Sequence, residues 1–141
     1  MKKAKKLFGM LFIMVALACV MAVSASAKTY GGECGNNGDN VTWTLDSETG
    51  ELVISGDGAI KDYTHNAHDL SPFYKESYIK SVIIKDGITR IGNYTFEDCT
   101  NLVNVTIPDS VTSIGHSAFS DCTSLASITI PDSVTGIDGW A

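Results

Sequence analysis

From Ile79 onward the apolar side chains return to the same places with a 23-residue period. Ile79, Leu102 and Leu125 open three successive stretches; Val82, Val105 and Ile128 lie three positions further on, and Ile84, Ile107 and Ile130 two beyond those. A step of two puts both side chains on one face of an extended chain, so each stretch predicts a short strand with one apolar face. Lys85, Pro108 and Pro131 come next; a proline there cannot donate to a ladder, which ends the strand. Ile88, Val111 and Val134, then Ile91, Ile114 and Ile137, predict a second short buried segment. Gly92 and Gly115 are expected to turn the chain. Phe96 and Cys99, like Phe119 and Cys122, then stand three apart, the spacing of one face of a helical turn.

Aligning residues 79–101 with 102–124 gives ten identities in 23 positions, and aligning 102–118 with 125–141 gives ten in 17. One such unit cannot bury both its strand face and its phenylalanine; stacked units can, each covering the one before. The predicted fold class is a repeat solenoid: a parallel β-sheet with strands about 4.8 Å apart, and short helical or turn segments on the convex side. The units are 79–101, 102–124 and an incomplete 125–141, which stops before any counterpart of Phe119, Asp121 and Cys122. That last unit supplies a third strand with a free edge. Trp140 is available to fold over the opening. The end is expected to be the least protected part of the array and to promote self-association.

Residues 28–78 read as an N-terminal cap. Val41 to Leu45 alternates apolar and polar, as does Leu52 to Ile54, and "DSETGE" between them is a turn, so the pair predicts a β-hairpin. Trp43 has two readings, a cover for the apolar end of the first unit or a binding aromatic. Residues 64–78 read as a loop anchored by Pro72 and Phe73.

These residues resemble a known family. "Lxx[VI]xIP", then "[SG][IV]xxIG", "AF" or "TF", and "xDCT" resemble the BspA-like leucine-rich repeats of exported and surface proteins, and "GGECG", "VTWTLD", "GELVISGDGAIKDY" and "SPFY" resemble the capping segment that precedes them. The resemblance implies a leucine-rich-repeat-like solenoid, adhesion or protein binding at the cell surface, and no enzymatic activity. Gly87, Ser110 and Ser133 stand where the general leucine-rich consensus has Asn or Cys, so no asparagine ladder is expected. In such a solenoid the strand residues between the inward ones line the concave face; here they are Ser81, Ile83, Asn104, Thr106, Ser127 and Thr129, the candidate binding residues for a protein or glycan ligand. Solvated strand residues of good β-propensity are the plainer reading of the same six. Three strands give a face of about 250 Å², against about 800 Å² per partner in a standard interface, so binding through it alone would be weak. A truncated fragment of a longer array is the alternative.

Residues 1–27 form a secretory signal. Lys2, Lys3, Lys5 and Lys6 precede an apolar run from Leu7 to Val23, and Ala25-Ser26-Ala27 supplies the small-x-small cleavage pattern before Lys28. An uncleaved anchor and a lipoprotein acylated at Cys19 are the rival readings. Removing the leader takes four of the ten basic residues and none of the sixteen acidic ones, so the net charge moves from −6 to 6 − 16 = −10. Nucleic acid and anionic lipid are thereby excluded as partners, no second hydrophobic segment implies membrane insertion, and the exported chain is expected in the medium or at the cell surface.

Catalytic chemistry does not assemble in the pattern. His65-x-x-His68 lacks further ligands at metal spacing, so neither a metal nor another cofactor is implied. A hydrolase with its residues in the 61–78 loop is the less favoured enzymatic alternative. Asp86, Asp109 and Asp132, with Asp98 and Asp121, recur with the period and read as turn residues. Cys99 and Cys122 stand one unit apart; a disulfide is within reach, while packed thiols fit the parallel stacking of side chains better. N-terminal sequencing of exported material should begin at Lys28; a start at an acylated Cys19 would refute the cleavage site.

Overall fold

The computed structural model describes residues 28–36 and 40–141, so the leader and Cys19 lie outside the described residues. Nine strands form among the described residues: β1 (Thr29–Glu33), β2 (Thr42–Asp46), β3 (Glu51–Ser55), β4 (Gly58–Ala59), β5 (Ser81–Ile84), β6 (Ile88–Ile91), β7 (Asn104–Thr106), β8 (Ser113–Ile114) and β9 (Gly136–Ile137). They make two sheets, ordered β1-β2-β3-β5-β7 and β4-β6-β8-β9. The first is antiparallel through β1, β2 and β3 and parallel from β3 to β7; the second is parallel throughout. The coils that start at β3, β5 and β7 each contribute one strand to each sheet and close through a layer of turns, which is a solenoid.

The 23-residue period becomes a register. Val82 lies beside Val105, Ile91 beside Ile114, and Ile114 beside Ile137. The turn layer pairs in the same way: Tyr94, Phe96 and Asp98 donate backbone N–H groups to the carbonyls of His116, Ala118 and Ser120 at 2.8–2.9 Å. Backbone polar groups are thus satisfied coil to coil on all three sides of the core, as burial requires.

No helix forms among the described residues, which corrects the expectation of helical turns at Phe96–Cys99 and Phe119–Cys122. The reason is a left-handed residue on either side of each phenylalanine. Tyr94, Ser117 and Trp140 have φ of 55°, 51° and 63°, and Lys75, Asp98 and Asp121 have φ of 58°, 60° and 58°. These are two stations, each recurring once per coil. An L-residue in that region cannot continue a right-handed helix. What remains is a chain of tight turns, such as Cys99 N–H to Phe96 O and Cys122 N–H to Phe119 O, both 3.2 Å.

The inferred turning role of Gly92 and Gly115 also changes. Neither has positive φ; instead, a Cβ on Gly92 would overlap the Lys61 carbonyl, and one on Gly115 would lie 2.6 Å from the Asn93 backbone nitrogen. Glycine stands there because the preceding coil occupies the space.

The core is a set of ladders. Val82 and Ile84 from the first sheet, Ile88 and Ile91 from the second, and Phe96, Cys99 and Leu102 from the turns are all at most 2% exposed. Phe73 stacks on Phe96 (centroids 5.4 Å apart, planes 21°), and Phe96 on Phe119 (5.3 Å, 18°). Phe73 therefore stands one full period before Phe96, already in phase with the repeats. Leu52 does not: one period on from it is Lys75, whereas its partner in the sheet is Val82, seven positions later. The coil from β3 to Tyr78 thus carries seven additional residues. The loop from Thr64 to Leu70 absorbs them, closed by Thr64 N–H to Asp69 O (3.1 Å) and a Lys61–Asp69 ion pair. Trp43 meets Phe73 edge-on at 5.4 Å and 82°.

The three described cysteines are free and buried. Cys99 Sγ donates to Phe73 O at 3.1 Å and Cys122 Sγ to Phe96 O at 3.2 Å, so each thiol repeats the contact of its neighbour one coil away. Burial pushes the Cys122 thiol up to about 11 and the Cys34 thiol up to about 12, and raises Cys99 as well.

At the C-terminal end the ladders weaken. Residues 127–130 form no strand, so the expected third repeat strand is absent and the first sheet stops at β7. Phe119, expected as a stacked core aromatic, is only half-buried, because among the described residues it meets a stacked ring on one side only. Trp140 is 82% exposed and does not fold over the opening. Phe96→Ala should therefore cost about 3–5 kcal/mol, Phe119→Ala less than that, and Thr106→Ala under about 1 kcal/mol in urea melts. Equal losses for Phe96→Ala and Phe119→Ala would contradict the one-sided stacking of Phe119.

Candidate functional site

The outward face of the first sheet is built by strand alternation. Inward side chains at Leu45, Leu52, Ile54, Val82 and Ile84 are buried, so the residues between them face out. The ladders align these into two rows across β3, β5 and β7: Glu51–Ser81–Asn104 and Val53–Ile83–Thr106. Through β2 and β1 the rows continue to Asp46 and Thr29, and to Thr44 and Gly31. Five strands at about 4.8 Å spacing give a face about 19 Å across.

Of the six residues inferred from sequence, Ser81, Ile83, Asn104 and Thr106 are brought together on adjacent strands. Asn104 and Thr106 are exposed, Ser81 and Ile83 half-buried. Ser127 and Thr129 are exposed but lie outside any strand. Sequence reading missed Glu51, Val53 and Thr44. The alternation in "ELVIS" was a usable signal, but the parallel pairing of β3 with β5 could not be read from it. The N-terminal side of the face is acidic, with Glu33, Asp46 and Glu51 on its three outermost strands. Backbone N–H groups of Thr49 and Glu48 bond the Asp46 carboxylate and hold its pKa below the usual range.

The polar groups of the 61–78 loop pair with the turn layer and with backbone. His65 Nε2 lies 3.4 Å from Glu97 Oε1 and its ring meets Tyr94 edge-on at 4.6 Å; Tyr94 in turn meets His116 at 5.3 Å. Burial raises the Glu97 pKa, and His65 opposes that shift. The Ser71 hydroxyl donates to Thr95 O at 2.5 Å and accepts from Phe73 N–H at 3.1 Å, so its bonds go to backbone rather than to a histidine. Among the described residues no group of three His, Cys, Asp or Glu could hold a metal ion. These contacts tie the loop to the turn layer.

A second concavity lies where the core begins. Tyr30 and Trp43, on the inward side of β1 and β2, face Pro72, Phe73, Glu76 and Tyr78 across a groove of about 530 Å³. Of these, sequence reading had weighed only Trp43 as a binding aromatic. Tyr30 and Tyr78 stand outside the repeat pattern, so no periodicity marks them.

No curated protein matches the sequence. Among solved structures, a leucine-rich repeat protein from Eubacterium ventriosum is 36% identical, with a TM-score of 0.67 over 78% of this chain and 28% of its own. A leucine-rich cell surface protein from Faecalibacterium prausnitzii is 31% identical, with a TM-score of 0.44 over 77% of this chain and 33% of its own. The chain spans about a third or less of the length of either. Residues 70–141 match the BspA type leucine-rich repeat region. The period, the parallel pairing from coil to coil and this match agree: the chain belongs to the BspA-type leucine-rich repeat family.

Proposed function

We propose that this chain is an exported, non-enzymatic adhesion module whose outward sheet face holds a partner protein or glycan. The alignment of Glu51, Ser81 and Asn104 with Val53, Ile83 and Thr106 carries the reading. Short side chains on a rigid sheet present a surface whose ordering cost is already met by the fold. Four spacings between five strands also enlarge the face beyond three strands alone, although it remains smaller than one side of a standard interface. Beads coated with the protein should be retained on mucin-coated or gelatin-coated surfaces. Asn104→Ala with Thr106→Ala should cut retention about tenfold, while Thr135→Ala, outside the first sheet, should not. Equal retention of both variants would rule out the sheet face.

Self-association through the C-terminal end is the second part of the proposal. Phe119, Leu125, Ile130 and Ile137 border a groove of about 400 Å³ in the coil that follows β7, the last strand of the first sheet. An unpaired strand edge next to apolar surface is a template for another chain. Sedimentation should show a concentration-dependent dimer that Ile137→Lys abolishes, Ile137 being 56% exposed. A monomer at all concentrations would refute it.

A further inference from the structure

The groove at the N-terminal end of the core is shaped by a missing side chain. In β1 the inward positions are Tyr30 and Gly32, and Gly32 lies opposite Trp43. A Cβ at Gly32 would come within 3.0 Å of the indole Nε1 and 3.3 Å of the ring carbons. Glycine therefore leaves the indole open where any other residue would cover it. Phe73 is 1% exposed and belongs to the aromatic stack, whereas Tyr30 and Tyr78 are 50% and 65% exposed and stand at the rim.

Charge and size narrow the ligand. Glu76 is the only charged side chain lining the groove among the described residues, and its Oε1 accepts from Tyr78 N–H at 3.1 Å, which ties the carboxylate to the rim. An anionic ligand would meet that carboxylate. An organic cation would find only this one carboxylate, already engaged by a backbone N–H, which disfavours it as well. Lys75 does not enter the balance: its Nζ is 5.0 Å from the Tyr74 ring and 3.8 Å from Asp98 Oδ2. The lining combines apolar aromatic surface with carboxylate and hydroxyl groups that can accept and donate hydrogen bonds. A volume of about 530 Å³ falls in the range of small-ligand sites.

We infer that this groove binds a neutral pyranose disaccharide unit of a surface glycan, stacking its apolar ring face on Trp43 and Tyr78 while Glu76 accepts from its hydroxyls. The site is separate from the sheet face: Trp43 belongs to the inward row of β2, and Asn104 and Thr106 lie on the opposite side of the sheet.

The test reads Trp43 emission in a Trp140→Phe background, since Trp140 is 82% exposed and its replacement leaves the core intact. The probes are cellobiose, lactose and N,N′-diacetylchitobiose, with sorbitol as a hydroxyl-bearing control without a ring face. Choline chloride and a proline-rich decapeptide stand for the competing occupants. At least one disaccharide should saturate with a Kd on the order of 1 mM, and sorbitol should not bind. Tyr78→Ala should weaken that binding about tenfold and Glu76→Gln several-fold, with urea midpoints unchanged. Asn104→Ala with Thr106→Ala should leave it as it was, so loss of the adhesion reading and loss of this one are distinguishable. The inference is overturned if no disaccharide perturbs Trp43, if choline or the peptide binds more tightly, or if Tyr78→Ala binds as well as the parent.

Discussion

Coil-to-coil backbone pairing is the constraint on which this structure depends. Successive coils exchange backbone N–H···O=C bonds at corresponding positions in two sheets, and in the turn layer the earlier coil donates to the later one. Such pairing continues only if the segments entering the sheets keep their register from coil to coil, because a one-residue slip would reverse the faces of every strand. The 23-residue period is thus a hydrogen-bonding requirement before it is a packing one. Left-handed residues at Tyr94, Ser117 and Trp140, and at Lys75, Asp98 and Asp121, keep the turns compact enough to meet it. Side chains then follow the backbone: Phe73, Phe96 and Phe119 stack because their Cα atoms are already in register.

The same constraint explains where irregularity is tolerated. Seven additional residues in the coil from β3 to Tyr78 leave the strand register and the phenylalanine stack intact because they leave the coil as a loop. That loop is still fastened, through His65 to Glu97 and Lys61 to Asp69. Extra length costs little when it closes on itself between fixed ends.

Stacking also makes the two ends chemically unlike the middle. A central residue such as Phe96 has a partner on each side, whereas Phe119 has one on one side only. At the N-terminal end, β1 and β2 continue the sheet past the last repeat-like coil, and Trp43 meets Phe73 edge-on instead of extending the stack. Gly32 keeps that indole accessible. The surface thus takes two forms, a flat face along the sheet and a groove at its end, without disturbing the ladders between them.

By itself the sequence determined the period, the strand positions and inward residues of the first two repeats, and four neighbouring members of the outward face, whereas Ile137, expected inside, is 56% exposed. These are consequences of local alternation repeated at fixed intervals, and such information is carried by residue spacing. Trp43 at the end of the core and the turn-forming aspartates were legible for the same reason. Only the tertiary structure decided that the turns are not helical, that residues 127–130 form no strand, and that β3 joins the repeats in parallel. It also decided that Gly92 answers to a neighbouring carbonyl rather than to its own φ, and that Tyr30 and Tyr78 face each other across a groove. Each of these depends on what the adjoining coil places against a residue, and the spacing of residues within one coil contains no record of it.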